Sequence, residues 1–128
     1  MPSDSLAAFP VDVTLSAFDG TRTERVRLLV GTGAMWTWVP AKVLLRAGIV
    51  PKGVKPLHDL NQKIVERPYA DARTACLDRD CPSLVVFATE GDQNTLGENA
   101  LLGMGLEIDA ETRSLRDAGP LPAYTVLA

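Results

Sequence analysis

The stretch Val26-Arg27-Leu28-Leu29-Val30-Gly31-Thr32-Gly33-Ala34 decides the fold. Arg25 and Arg27 alternate with Val26 and Leu28, and residues 28–30 are then continuously apolar, the pattern of a strand passing from half-exposed to fully buried. No long helix follows the Gly31-Thr32-Gly33 turn. Met35-Trp36-Thr37-Trp38-Val39 is rich in aromatic and β-branched residues and closes on Pro40, which predicts a second strand. Two buried strands are therefore expected to meet at a glycine-rich tip. A Gly-x-Gly after a strand also opens dinucleotide folds, but those need a third glycine and an immediate helix. Trp36-Thr37-Trp38-Val39-Pro40 occupies that place instead, which disfavours the nucleotide reading.

Upstream, Phe9, Val11, Val13, Leu15 and Ala17 alternate with Asp12, Thr14 and Ser16, and Asp19-Gly20 is a strong turn signal. This first strand is expected to pair as a hairpin with the one entering Gly31. Downstream, residues 41–47 are good helix formers, with Pro40 suited to the first helical position and Gly48 to the stop. Pro51, Gly53 and Pro56 predict extended chain or loop. Ser83-Leu84-Val85-Val86-Phe87-Ala88 reads as a buried strand and Gly91-Asp92-Gln93-Asn94 as a loop. After Thr95-Leu96-Gly97, residues 98–104 read as a short helix with Gly105 as its C-cap, and residues 106–109 as a strand. A turn at 110–112, a short strand at 113–115, a loop at 117–122 and a terminal strand at 123–128 complete the expectation.

At 128 residues the chain is one domain by size, with 46% hydrophobic and 23% charged residues, ordinary globular values. The net charge of −3 gives no basis for binding nucleic acid or an anionic membrane. No leader-like start and no apolar run of membrane-span length is present, so the domain is expected to be soluble and cytoplasmic. Cys76 and Cys81 are too few for a disulfide scaffold and read as two thiols near a turn. A zinc site is disfavoured because His58 alone could add an imidazole. Partners are expected to be peptides or proteins.

The order of these segments resembles the retropepsin-like aspartic proteases, single-lobe relatives of pepsin and the retroviral proteases. Their motif is an apolar strand ending in Asp-Thr/Ser-Gly-Ala, then Thr or Ser, an apolar residue and often Pro. Thr32, Gly33, Ala34, Thr37, Val39 and Pro40 match. Gly31 stands where the family carries its catalytic Asp. The second family signature, an apolar-apolar-Gly strand leading into a short helix and a Gly-Leu-apolar-Val-Asp strand, is similar to residues 95–109, with Thr95 where an apolar residue is usual.

The resemblance implies an all-β, retropepsin-like single-lobe fold with barrel-like closed sheets, a flap hairpin and one or two short helices. The resemblance runs from about Phe9 to Leu115. The chain is divided into an arm at 1–8, a domain at 9–116 and a tail at 117–128, whose terminal strand has no local partner and is a candidate for pairing at a dimer interface. The resemblance also implies a homodimer, because one lobe supplies only one of two active-site loops. The site is then Gly31, Thr32 and Gly33 at the catalytic position, with Ala34 and the flap-tip residues Asn61 and Gln62 against substrate, and no metal or cofactor. In the family, the residue after the Asp, here Thr32, locks the two loops together across the dimer axis; the alternative is a Thr bonding its own turn.

Aspartic proteases hold two carboxylates so close that they share a proton, one acting as base on water while the other donates to the scissile carbonyl. Gly31 supplies no carboxylate, so no dyad forms. The resemblance thus implies an aspartic-type endopeptidase that is inactive as written; the alternative is a non-catalytic peptide-binding or dimerisation module. Trp36 and Trp38, two apart, are expected on one face of their strand, packed in the core by default. None of Asp59, Glu66, Asp71, Glu98 or Asp109 is assigned a catalytic role, since a general base must reach the reacting water.

Overall fold

A computed structural model describes residues 8–120. The alternating first segment forms β1 (Phe9–Ser16), which runs antiparallel to β2 (Thr23–Val30) in full register from Phe9 opposite Val30 to Ser16 opposite Thr23. The turn between them is held by the Asp19 side chain, which accepts the Thr21 N–H at 3.1 Å, while Gly20 takes φ +69°. The expected hairpin is therefore formed.

After the glycine-rich loop come β3 (Thr37–Pro40) and α1 (Ala41–Arg46). Pro40 is the last residue of β3 and the N-cap of the helix, not its first turn; its ψ of 134° is extended because it is still paired with Ala88. Gly48, at φ +81°, stops the helix as its sequence position predicts. The proline-rich segment becomes β4 (Gly53–His58), which forms a hairpin with the N-terminal part of β5 (Ile64–Cys76). β5 turns back into β6 (Arg79–Ala88), then follow α2 (Glu98–Met104), β7 (Leu106–Asp109) and β8 (Ser114–Asp117).

Strand makes up 51% and helix 12% of this structure, so the chain is all-β in class. The main sheet runs β2-β1-β5-β6-β3, with β4 beside β5, and β7-β8 form a separate ribbon. A closed barrel, expected from the resemblance, is not what these strands build. Among the described residues, the end strands β2 and β3 are joined only through Thr95, by single bridges to Leu29 and Trp38. Extended chain stops there because α2 begins at Glu98. The N-terminal arm before Ala8 and the terminal strand expected at 123–128 lie outside the described residues.

β6 is buried on both faces, which explains its unbroken apolar run. Val85 and Phe87 join Val13, Leu15, Leu28 and Leu44 in the main core; Val86 and Ala88 turn the other way, onto Trp38 and the hairpin residues Leu57 and Val65. This second, smaller cluster seats the β4-β5 hairpin on the sheet. Cys76 and Cys81 are free and buried, as two thiols near a turn. The register opposes Cys81 to Thr74 and Cys76 to Arg79, so the thiols are diagonal neighbours and not a facing pair. Burial pushes both thiols up, away from the reactive thiolate. No helix among the described residues is long and apolar enough to cross a membrane.

Candidate functional site

The loop between β2 and β3 is built from conformations that glycine permits: Gly31 and Gly33 sit at φ +84° and +86°. It is pinned from the segment entering α2. Thr95, fully buried, exchanges backbone hydrogen bonds with Trp38 at 2.8 and 3.0 Å, while Leu29 donates to Asn94 and accepts from Leu96. Its hydroxyl donates to the Leu29 carbonyl at 2.8 Å, so the 2.8 Å contact with the Thr32 hydroxyl must be donated by Thr32. Thr32 in turn accepts the Ala34 N–H at 3.3 Å. Within one chain, Thr32 thus bonds both its own turn and Thr95.

The next anchor is the start of α2. Glu98 and Asn99 donate their N–H groups to the carbonyls of Ala34 and Met35, at 2.9 and 3.1 Å, which satisfies donors a helix start otherwise leaves open. Gly97 donates to the buried Thr37 hydroxyl at 3.0 Å. These contacts bend residues 34–36 onto the helix start, so β3 begins only at Thr37 and not at Met35. Trp36 and Trp38 are consequently not a same-face pair in one strand: Trp36 is 37% exposed and Trp38 only 8%.

One cleft of about 660 Å³ opens above this loop. Thr32, Gly33 and Ala34 line one wall, Asn61 and Gln62 at the hairpin tip another, and the loop at 91–93 a third. Five of the six residues expected from sequence therefore share one cavity; Gly31, one residue past the end of β2, is not among those that line it. The tip turns on Gln62, at φ +65°, and not on Asn61. Asp59 imposes that turn by accepting the N–H groups of Asn61 and Lys63 on one carboxylate oxygen, both at 2.9 Å.

Two carboxylates line the cleft, Asp59 and Asp92, and both have partners. Asp92 receives a two-pronged contact from Arg67 of β5, at 2.7 and 2.9 Å, and the Thr89 N–H at 2.8 Å. The Arg67 guanidinium, helped by Thr89 and opposed by burial, holds this carboxyl below the usual range. The pair ties the hairpin stem to the 91–93 loop. Asp71 is paired with Lys52, and Asp109 accepts N–H groups of Glu111 and Thr112; neither these nor Glu66 and Glu98 reach the cleft. Among the described residues no cluster of His, Cys, Asp and Glu is arranged for a metal ion.

Thr95 and Asp92 also line the cleft; pattern reading left the Arg67–Asp92 pair out and saw Thr95 only as a departure from an apolar position. A polar residue inside an otherwise apolar motif was the available signal for Thr95, since a buried hydroxyl must find partners. Thr95→Val keeps the shape and removes both hydroxyl contacts. Leu29 O still accepts from Leu96 and the half-buried Thr32 can turn to water, so an expected loss of about 1–2 kcal/mol in chemical denaturation is modest. No family model matches the chain, and no curated protein matches it.

Proposed function

We propose that this chain is a retropepsin-like aspartic-peptidase domain, homodimeric, whose cleft binds extended polypeptide and whose hydrolytic step is lost at Gly31. The reading rests on one observation: Thr32, Gly33 and Ala34 share a cleft with the hairpin-tip residues Asn61 and Gln62, at the position a flap would take over a peptide. The two-fold axis would bring copies of the same loop together. Each copy then contributes a glycine where the peptidase reaction needs an acid.

The non-catalytic reading is favoured for the chain as written by the state of the other acids. Asp59 spends one carboxylate oxygen on two backbone N–H groups of its own turn, and Asp92 is paired with Arg67, which holds its carboxyl below the usual range, so the two are engaged in holding the cleft walls and not paired with each other as a dyad. An edge strand of the cleft would pair with the peptide backbone, giving affinity without turnover.

Gly31→Asp tests the reaction class. The residue sits at φ +84°, where Asp is better tolerated than most, so strain of about 1–2 kcal/mol is expected against a typical domain stability of about 5–15 kcal/mol. The variant should fold. Its expected behaviour is cleavage of casein-like substrate as a dimer, with none by the parent. A variant that is folded and dimeric by mass yet inert would leave only the binding module, and a strictly monomeric parent would remove the shared-cleft reading.

A further inference from the structure

The N–H groups of Gly31, Thr32 and Gly33 have no hydrogen-bond partner among the described residues. The next N–H, of Ala34, is already used by the Thr32 hydroxyl. Gly31 and Gly33 have positive φ and Thr32 between them does not. Successive backbone N–H groups in stretches that alternate left- and right-handed residues are a common source of anion-binding concavities in proteins. Thr32 and Gly33 lie on the cleft wall. Two of these three consecutive donors therefore border the cavity and the third adjoins them in sequence, in a stretch whose central hydroxyl is committed elsewhere and whose glycines carry no side chain of their own to accept them.

Of the two acids on the same cleft, Asp92 is neutralised by Arg67, whereas Asp59 accepts two backbone N–H groups on one oxygen and keeps its charge at the hairpin tip, across the cleft from this loop. A flat, two-oxygen acceptor suits adjacent N–H donors, and bonds to a charged acceptor are about twice as strong as neutral ones. We propose that the Gly31-Thr32-Gly33 backbone is a binding site for a carboxylate supplied by the ligand, either the C-terminus of a peptide or an acidic side chain within it. Only the choice of a peptide as carrier rests on the cleft reading above.

The test begins with acetate titrated into the ¹⁵N-labelled protein at pH 7 and constant ionic strength, with chloride as control. Saturable downfield shifts of the Gly31, Thr32 and Gly33 amide protons are expected with acetate alone. Shifts no larger than elsewhere in the chain, or equal ones with chloride, would overturn the proposal. In Gly31→Asp the new carboxylate competes for the same donors, so the acetate response should weaken about tenfold; should that variant misfold, the parent titration alone decides.

A second arm compares one peptide as free acid, as C-terminal amide, and as amide with Glu at its last position. The free acid should bind about tenfold tighter than the plain amide, one good charged contact's worth. Recovery of that affinity by the Glu-amide supports a side-chain source, and its absence a terminal one. Equal binding of all three overturns the carboxylate site but leaves the peptide cleft standing. Acetate shifts without any peptide binding do the reverse.

Discussion

Gly97→Ala is expected to destabilise the chain by about 3 kcal/mol or more, with a fall in Tm on the order of 10 °C. A Cβ on Gly97 would lie 2.4 Å from the Trp36 carbonyl carbon and 2.6 Å from the Met35 carbonyl oxygen. Both are backbone atoms, so no side chain can swing aside. Relief requires moving residues 35–36 away from α2, which breaks the bonds from Glu98 and Asn99 to Met35 and Ala34. Backbone conformation is not the obstacle, because Gly97 has φ −77°, open to any residue.

Gly33→Ala provides the contrast. Its Cβ would meet nothing within 4 Å, but φ is +86°, so the cost is conformational, about 1–2 kcal/mol. Denaturant unfolding of both variants separates the two effects. If Gly97→Ala costs no more than Gly33→Ala, the close approach of loop and helix start is not what organises the site.

The second large effect is expected at Asp92. Its side chain is 9% exposed and that of Arg67 18%, so Asp92→Ala leaves a largely buried guanidinium without its anion. Breaking a fully buried pair costs about 3–5 kcal/mol, and the water still reaching Arg67 lowers the expectation to about 2–3 kcal/mol. The folded-state pKa of Asp92 is depressed, so the folded protein holds fewer protons than the unfolded one near it. The pair's contribution is then complete above the unfolded carboxyl value of about 3.9 and is lost as pH falls through the lower folded value. Stability measured from pH 7 down to 2 should show this acid limb in the parent, and a flatter one in Asp92→Asn. An unchanged limb would assign the acid sensitivity to other carboxylates.

The two variants also differ in what they do to the cleft. Gly97→Ala displaces the loop wall directly. Asp92→Ala frees the 91–93 loop from the hairpin stem, so under the proposed peptide-binding reading affinity should fall even at temperatures where the fold persists.

Much of the fold was legible locally. Alternation gave β1, Asp19-Gly20 its turn, and Gly48 and Gly105 the ends of both helices, the latter at φ +71°. Each depends on neighbours a few residues apart. The start of β3 was misjudged because aromatic content at Met35 and Trp36 favours a strand, while the actual partner of residues 34–35 is the start of α2, some sixty positions on. The register of Cys76 and Cys81 was likewise a matter of how β5 and β6 slide against each other. The tip residue with left-handed geometry is Gln62 because Asp59 anchors both sides of it; the sequence named Asn61 and Gln62 together and did not separate them.

By itself the order of residues determined that this is a β-rich chain with a glycine turn after a buried strand, and that position 31 brings no acid to that turn. Those are properties of side-chain chemistry and short-range periodicity. Only the tertiary structure decided that Thr95 joins two sheet edges, that Arg67 and Asp92 clamp the cleft, and that the turn's N–H groups are left without partners among the described residues. Such outcomes depend on which distant groups come within hydrogen-bond reach, and a linear pattern of polarity does not specify that distance.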